Sequence, residues 1–242
     1  MGKRLKVQRR GRGGSVFRAA KLTKIAPAKY PGISKENLNG TIKEMVHEGG
    51  RGAPLAYVEF QQGKGFYSAA VEGTYVNQEI SVGPSAPARL GNVLQVGSVP
   101  EGTMVCNIEL RAGDGGKVAR ASGSFGTVIA HTDTRTSIRL PSRRMIHVPN
   151  EARATIGIIS GGGRKEKPFM KAGAKLDAKR AKGHKYPIAH GVKMPAAMHP
   201  HGGGRHRRPG KSTTVSRHAP PGAKVGLIAA RTSGRGGKRQ RA

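Results

Sequence analysis

Between residues 41 and 160, hydrophobic residues recur at short range and without the 3.6-residue period of an amphipathic helix. The segments TIKEMVHEG (41–49), APLAYVEFQQ (53–62), GFYSAAVEG (65–73) and TYVNQEISVG (74–83) are short, rich in β-forming residues and bounded by turns. Gly63-Lys64-Gly65 and Glu72-Gly73 supply turn residues that accept positive φ. Strands at this density predict a small barrel.

A second set follows. NVLQVGSV (92–99), GTMVCNIELRAG (102–113) and KVARASGS (117–124) precede GTVIAHTDTRTSIRLPS (126–142), which reads as a hairpin turning near Thr132-Asp133-Thr134. RMIHV (144–148) and ARATIGIIS (152–160) close the run. Pro84, Pro87 and Gly91 separate the sets and predict a domain boundary near residue 88. No segment carries a clear helical period. Ser34-Lys35-Glu36-Asn37-Leu38 can begin one turn. KAGAKLDAKRAKGHK (171–185) can be helical, although Gly173 and Gly183 weaken that expectation.

Charge changes this picture. The 242 residues carry a formal net charge of +31. Residues 1–24 hold nine Lys and Arg and no acid, and residues 161–242 hold twenty-one against two acids. The intervening 25–160 hold fourteen against eleven, a net of only +3. The middle is thus an ordinary near-neutral segment and the ends are polycations. The long C-terminal stretch is rich in Gly and Pro, and its only aromatics are Phe169 and Tyr186. It cannot offset its chain entropy by burial, so it should be disordered when free and ordered by a polyanionic partner.

That partner is nucleic acid before membrane. No apolar run approaches the roughly 20 residues of a spanning helix, and no basic amphipathic helix carries Trp or Phe. MGKRLKVQRRGRGG lacks the apolar core of a secretion signal. The single Cys106 excludes an intramolecular disulfide, fits a reducing cytosol and reads as a small buried apolar residue. Aromatics make up only 4% of the chain. Recognition is therefore expected to rest on phosphates, 2′-hydroxyls and shape, the mode suited to structured RNA, because single-strand readers stack bases on exposed aromatics.

The sharpest chemical question lies in MHPHGGGRHRR (198–208), which combines His199, His201 and His206 with Gly202, Gly203, Gly204, Arg205, Arg207 and Arg208. Structural zinc prefers Cys and His pairs at set spacings. Here no cysteine or acid lies nearby, the nearest acid is Asp177, and surrounding Lys and Arg oppose a dication. A general base needs an orienting partner, usually a carboxylate, and none is present. The chain also lacks GxSxG, GxxxxGK[ST] and HExxH. No catalytic residue, metal or cofactor is expected. A strap lying on phosphates explains more: glycines let the backbone approach, arginines fork onto oxygens, and histidines stack or donate. A solvated tail without fixed register is the bland alternative. The Gly and Pro punctuation of GGGRHRRPGKSTTVSRHAPPG argues for one defined path.

These residues resemble a known family. RRGRGGSVFRA (9–19), ARASGSFGTVIA (119–130), IRLPS (138–142), RATIG (153–157), MHPHGGGRH (198–206) and APPGAKVGLIAARTSGRGGK (219–238) occur in the order of the universal L-two family of large-ribosomal-subunit proteins, in its archaeal and eukaryotic form. The similarity spans nearly the whole chain. It implies an all-β fold: an OB-like barrel, then an SH3-like barrel, with long basic extensions. The corresponding divisions are a basic N-terminal extension (1–36), an OB-like RNA-binding barrel (37–88), an SH3-like barrel (89–165) and a C-terminal extension (166–242). The resemblance also implies a non-enzymatic, cytoplasmic role in translation. The family binds large-subunit rRNA, lies among neighbouring ribosomal proteins, helps the small subunit associate, and sends its C-terminal extension towards the peptidyl transferase region.

The extension of that family usually reads Pro-x-x-Arg-Gly-small-small-Met-Asn, then an acid before His-Pro. Pro187, Gly191, Val192, Met194, His199, Pro200, His201 and Gly202 to Gly204 match. His190 replaces the usual arginine, Lys193 a small residue, Pro195 the asparagine and Met198 the acid. The first change removes a bidentate phosphate fork, and the last removes the natural orienter of His199.

The expected RNA contacts in the tails are Arg9, Arg10, Arg12, Arg205, Arg207, Arg208 and Lys211, with the histidine and glycine strap. In the barrels they are Arg51, Arg120, Arg143 and Arg144. A basic DNA-binding architectural protein is the competing reading.

Overall fold

The computed structural model describes residues 4–34, 36–205 and 207–231. They form two compact units. One is residues 20–172; the other joins the N-terminal residues up to 19 with those from 173 onward.

The 20–172 unit is built on one hydrogen-bonded order of ten strands. In chain order these are β1 (Leu38–Val46), β2 (Leu55–Phe60), β3 (Gly65–Ala69), β4 (Glu79–Val82), β5 (Val93–Gln95), β6 (Met104–Cys106), β7 (Gly126–His131), β8 (Arg135–Arg139), β9 (Met145–Pro149) and β10 (Arg153–Ile156). Their spatial order is β3-β2-β1-β4-β5-β10-β6-β7-β8-β9. Every pairing is antiparallel except β4 with β5, which meet in parallel at the single pair Val82 and Val93.

A smaller apolar cluster of Ala53, Ala69, Val71, Cys106 and Ile159 spans that narrow link, and two larger ones flank it. Tyr30, Ile42, Ala56, Val58, Phe66, Ile80, Val82 and Val93 make one. Leu94, Val105, Ile108, Val128, Ile138, Val148 and Ala154 make the other. Val93 and Leu94 are chain neighbours that enter different clusters, as the two-residue alternation of a strand requires. Gly40 on β1 has no room for a side chain: a Cβ there would meet the Glu59 carbonyl oxygen at 2.7 Å.

The all-β expectation holds for this unit, with local corrections. KVARASGS forms no strand; Val118 makes only an isolated bridge with Ile108. In the 74–83 segment the strand begins only at Glu79, because Tyr75–Gln78 form a turn in which Gln78 N donates to Tyr75 O at 3.3 Å and Asn77 takes a φ of 71°. Strand β10 stops at Ile156, ahead of Gly157 with a φ of 116°. The 132–134 turn forms as expected: the Thr132 hydroxyl accepts from Arg135 N, and Asn150 Nδ2 donates to the Thr132 and Asp133 carbonyls. Leu38 opens a strand and not a helical turn.

The other unit holds two short helices, α1 (Lys6–Gly11) and α2 (Ala172–Arg180), the latter beginning at the boundary. Sequence pattern did not predict α1. Helix α2 ends in a Schellman turn: Gly183 takes a φ of 67°, and His184 N donates to Lys179 O at 2.9 Å. A parallel pair, β11 (Thr214–Val215) with β12 (Leu227–Ile228), draws the last described segment back on itself. Only Leu5, Gly183 and Val225 are buried among this unit's described side chains and backbone. That agrees with the expectation that the basic segment lacks a core.

Candidate nucleic-acid interface

The histidine strap has a defined path. A short 3-10 turn at Gly191–Lys193 leads to Pro195, whose carbonyl accepts from Met198 N at 2.9 Å. Gly202 N donates to His199 O, and Gly203 N donates to Met194 O. The strap folds back so closely that a Cβ on Gly191 would strike the His199 ring. One on Gly202 would strike the Met194 carbonyl. Gly191 and Gly202 thus allow the strap to approach itself.

His199 and His201 are brought together as an edge-on pair, with ring centroids 5.1 Å apart. His201 N donates to His199 Nδ1 at 3.1 Å, so neutral His199 carries its proton on Nε2. Burial, then the neighbouring His201, then Lys6 hold the His199 pKa below its ordinary value. A cavity of about 230 Å³ beside them is lined by Val192, Pro200, His201, Arg208 and Lys211. His206 lies outside the described residues. Among the described residues no group of three or more His, Cys, Asp or Glu is placed to hold a metal. No described helix is long and apolar enough to cross a membrane.

The expected cations separate by environment. Arg9 and Arg10 occupy the last turn of α1, and both are exposed. Arg12, Gly203, Gly204, Arg205, Arg207, Arg208 and Lys211 are exposed as well, with Gly202 half-buried. In the strand unit, Arg143 and Arg144 stand exposed on the β8–β9 turn, where Arg143 takes a φ of 64°.

Arg51 and Arg120 are differently employed. Arg51 Nε donates to Glu48, whose carboxylate also faces Lys24 Nζ at 3.4 Å and is buried. Arg120 is half-buried and donates to Gly116 O at 3.0 Å and Ala28 O at 2.6 Å. Burial and then the nearby Arg51 charge lower its pKa. Both side chains fasten the fold. Sequence could not separate them from Arg143 and Arg144, since all are Arg in near-neutral β-rich sequence.

Sequence reasoning also missed Arg153, the most enclosed arginine among the described residues at 7% exposure. Its partner Glu109 stands 44 positions away in sequence, beyond any local pattern. Nor did it bring Phe17 and Tyr186 to one site. Both line a cavity of about 410 Å³ in the extension unit, with Arg10, Lys179, His184 and Lys185.

Comparison with known proteins decides the kinship. Residues 89–223 match the family description "Ribosomal Proteins L2, C-terminal domain". The chain belongs to the L2 family of ribosomal proteins. It is 52% identical over 240 residues to the large ribosomal subunit protein uL2 of Korarchaeum cryptofilum, covering 99% of this chain and 98% of that protein. It is also 52% identical to the uL2 of Caldivirga maquilingensis, over 100% of this chain and 96% of that one. The uL2 of Hyperthermus butylicus is 52% identical across 97% of this chain and 99% of its own. The L2 resemblance read from the ordered motifs therefore holds across the chain. The matched range includes the strap with Pro195 and Met198.

Proposed function

We propose that the chain is a structural, non-enzymatic constituent of the large ribosomal subunit, resident in cytoplasmic ribosomes, and a direct rRNA binder. Family membership supports the assignment to the subunit. The observation that carries RNA binding is the exposed, acid-poor set of guanidinium groups on the two extensions, set against a strand unit that pairs several of its own cations internally.

On this reading residues 37–88 act as an OB-like barrel and 89–165 as an SH3-like barrel. The two larger apolar clusters, whose strands share only the one parallel pair Val82 and Val93, support that division, although a smaller cluster of Ala53, Ala69, Val71, Cys106 and Ile159 spans it. Basic segments within 1–36 and 166–242 clamp folded rRNA through Arg9, Arg10, Arg12, Arg205, Arg207, Arg208 and Lys211, with His199, His201 and Gly202 to Gly204 shaping the strap, while Ala28 and Tyr30 anchor the end of the first segment in the core of the strand unit. Arg143 and Arg144 add contacts from the strand unit, while Arg51 and Arg120 contribute by fixing the surface that carries them. Neighbouring ribosomal proteins pack around it, and its contacts support small-subunit association and the RNA of the peptidyl transferase region.

Sedimentation of native lysate on a sucrose gradient tests the proposal. Co-migration with the large subunit, persisting through a moderate salt wash, is the expected result. Sedimentation at the top of the gradient, with equal affinity for duplex DNA and rRNA at matched salt, would favour the architectural DNA-binding alternative.

A further inference from the structure

The extension unit gathers Phe17 and Tyr186, from segments 169 positions apart, around one cavity of about 410 Å³. That is within the roughly 300–1,000 Å³ of small-molecule sites. The gathering has a local cause. The Schellman turn at the end of α2 brings Gly183 against the backbone of the N-terminal segment, where a Cβ would meet Ala19 N at 2.6 Å and Arg18 C at 2.7 Å. Only glycine permits that crossing, and the residues that follow it, His184, Lys185 and Tyr186, turn into the cavity wall. Lys175 Nζ sits over the Tyr186 ring, 5.4 Å from its centroid.

The lining is chemically specific. Two aromatic rings offer stacking surface, neither fully exposed. Arg10, Lys179 and Lys185 surround them with positive charge, and His184 adds a polar ring. None of the described lining residues is acidic. Flat apolar faces beside clustered cations match a nucleobase attached to phosphates.

We propose that this cavity receives a single nucleobase extruded from the stack of the bound RNA, with its flanking phosphates on Arg10, Lys179 and Lys185. The proposal rests on the RNA-binding reading and deepens it. The chain as a whole is poor in aromatics, so most of its recognition is by phosphate and shape. This cavity is the place where a base is held. An unpaired, bulged nucleotide is the suitable donor, because it has the least stacking and pairing to lose.

The test uses the full chain and two RNA hairpins of equal length. One carries a single bulged 2-aminopurine; the other holds the same base within a paired stem. The bulged hairpin should bind on the order of tenfold more tightly, with quenching of 2-aminopurine fluorescence on stacking. Tyr186→Ala and Phe17→Ala should each abolish that preference and quenching while leaving binding of the paired hairpin intact; Tyr186→Phe should retain both. Equal, salt-sensitive affinity for both hairpins would overturn the base pocket while leaving RNA binding standing. Loss of both hairpins equally in Tyr186→Ala would assign the ring a structural role and also overturn it. Displacement of the bulged hairpin by free adenosine monophosphate at matched concentration would make this a free-nucleotide site instead. Failure of the wild-type chain to bind either hairpin at low salt would sink the RNA-binding reading itself.

Discussion

Glu109 has no exposed surface, and its carboxylate is closed on all sides by Arg153 and backbone. Arg153 Nη2 donates to Glu109 Oε1 at 2.9 Å, and Arg153 Nε and backbone N both donate to Oε2. Gly113 N and Gly115 N complete the carboxylate. Arg153 Nη1 reaches on to the Pro31 carbonyl at 2.9 Å, and its guanidinium lies 5.3 Å from the Tyr30 ring centroid. A buried pair this well satisfied is costly to break from one side, because the survivor is left charged and dry. Glu109→Ala should therefore destabilise the protein by about 3–5 kcal/mol. Chemical denaturation would show it. A loss below about 1 kcal/mol would mean that water reaches the site and solvates Arg153.

Tyr30 ties the segment before β1 to the second apolar cluster's strands. Its hydroxyl donates to Asn107 O at 2.8 Å and lies 2.6 Å from Thr155 Oγ1. Burial first, and the nearby Cys106 second, raise its pKa well above the usual tyrosine value. Tyr30→Phe keeps the ring and removes only the hydroxyl, leaving buried partners unsatisfied. A loss of about 1–3 kcal/mol is expected in the same denaturation assay.

Burial pushes the Cys106 thiol up from 9.0 to about 12. The unfolded thiol ionises first, so between those values the unfolded state holds fewer protons than the folded one. This contribution is then full below pH 9 and is lost as pH rises towards 12. At neutral pH a thiol-labelling reagent should leave native Cys106 unmodified and label it fully in denaturant. Rapid native labelling would place the residue outside the core.

His199 should titrate below the ordinary 6.5, since burial, His201 and Lys6 all disfavour its charged form. The unfolded chain then takes up this proton at higher pH than the folded one. The resulting penalty is absent above 6.5 and grows as pH falls through the folded value. Bound polyanion should reverse the shift. A pH titration of the His199 ring by NMR, with and without an RNA hairpin, checks both directions. A value that RNA leaves unmoved would place phosphates away from the strap.

Removing one exposed tail cation, as in Arg207→Ala, should reduce the magnitude of the log–log salt slope of RNA binding by about one unit. Arg51→Ala should hardly change the slope and should lower stability instead, because its donor is held by buried Glu48. Fluorescence anisotropy across a salt series separates the two behaviours. Equal slope changes would show that Arg51 leaves Glu48 to meet RNA.

Much of this was legible in sequence. Alternation and turn residues located most strands to within a few positions, because side-chain period and positive-φ glycines are local properties. The polycationic ends were visible as counts of Lys and Arg, and the ordered motifs carried the family. The errors were where local pattern is silent. Helix α1 in a basic tail carries no apolar stripe. KVARASGS alternates like a strand yet finds no partner to complete a ladder.

The sequence by itself determined the β-rich class, the division into a neutral centre and cationic ends, and the kinship to ribosomal L2 proteins. Each is written in composition, short-range periodicity or motif order. Only tertiary structure decided which arginines face outward. Arg51 and Arg153 are withdrawn by Glu48 and Glu109, and Arg143 and Arg144 are not. It alone also decided that Phe17 and Tyr186 share a cavity. The physical reason is common to both: ion pairing and cavity lining depend on distances of a few ångströms between residues remote in the chain, and no local pattern encodes them.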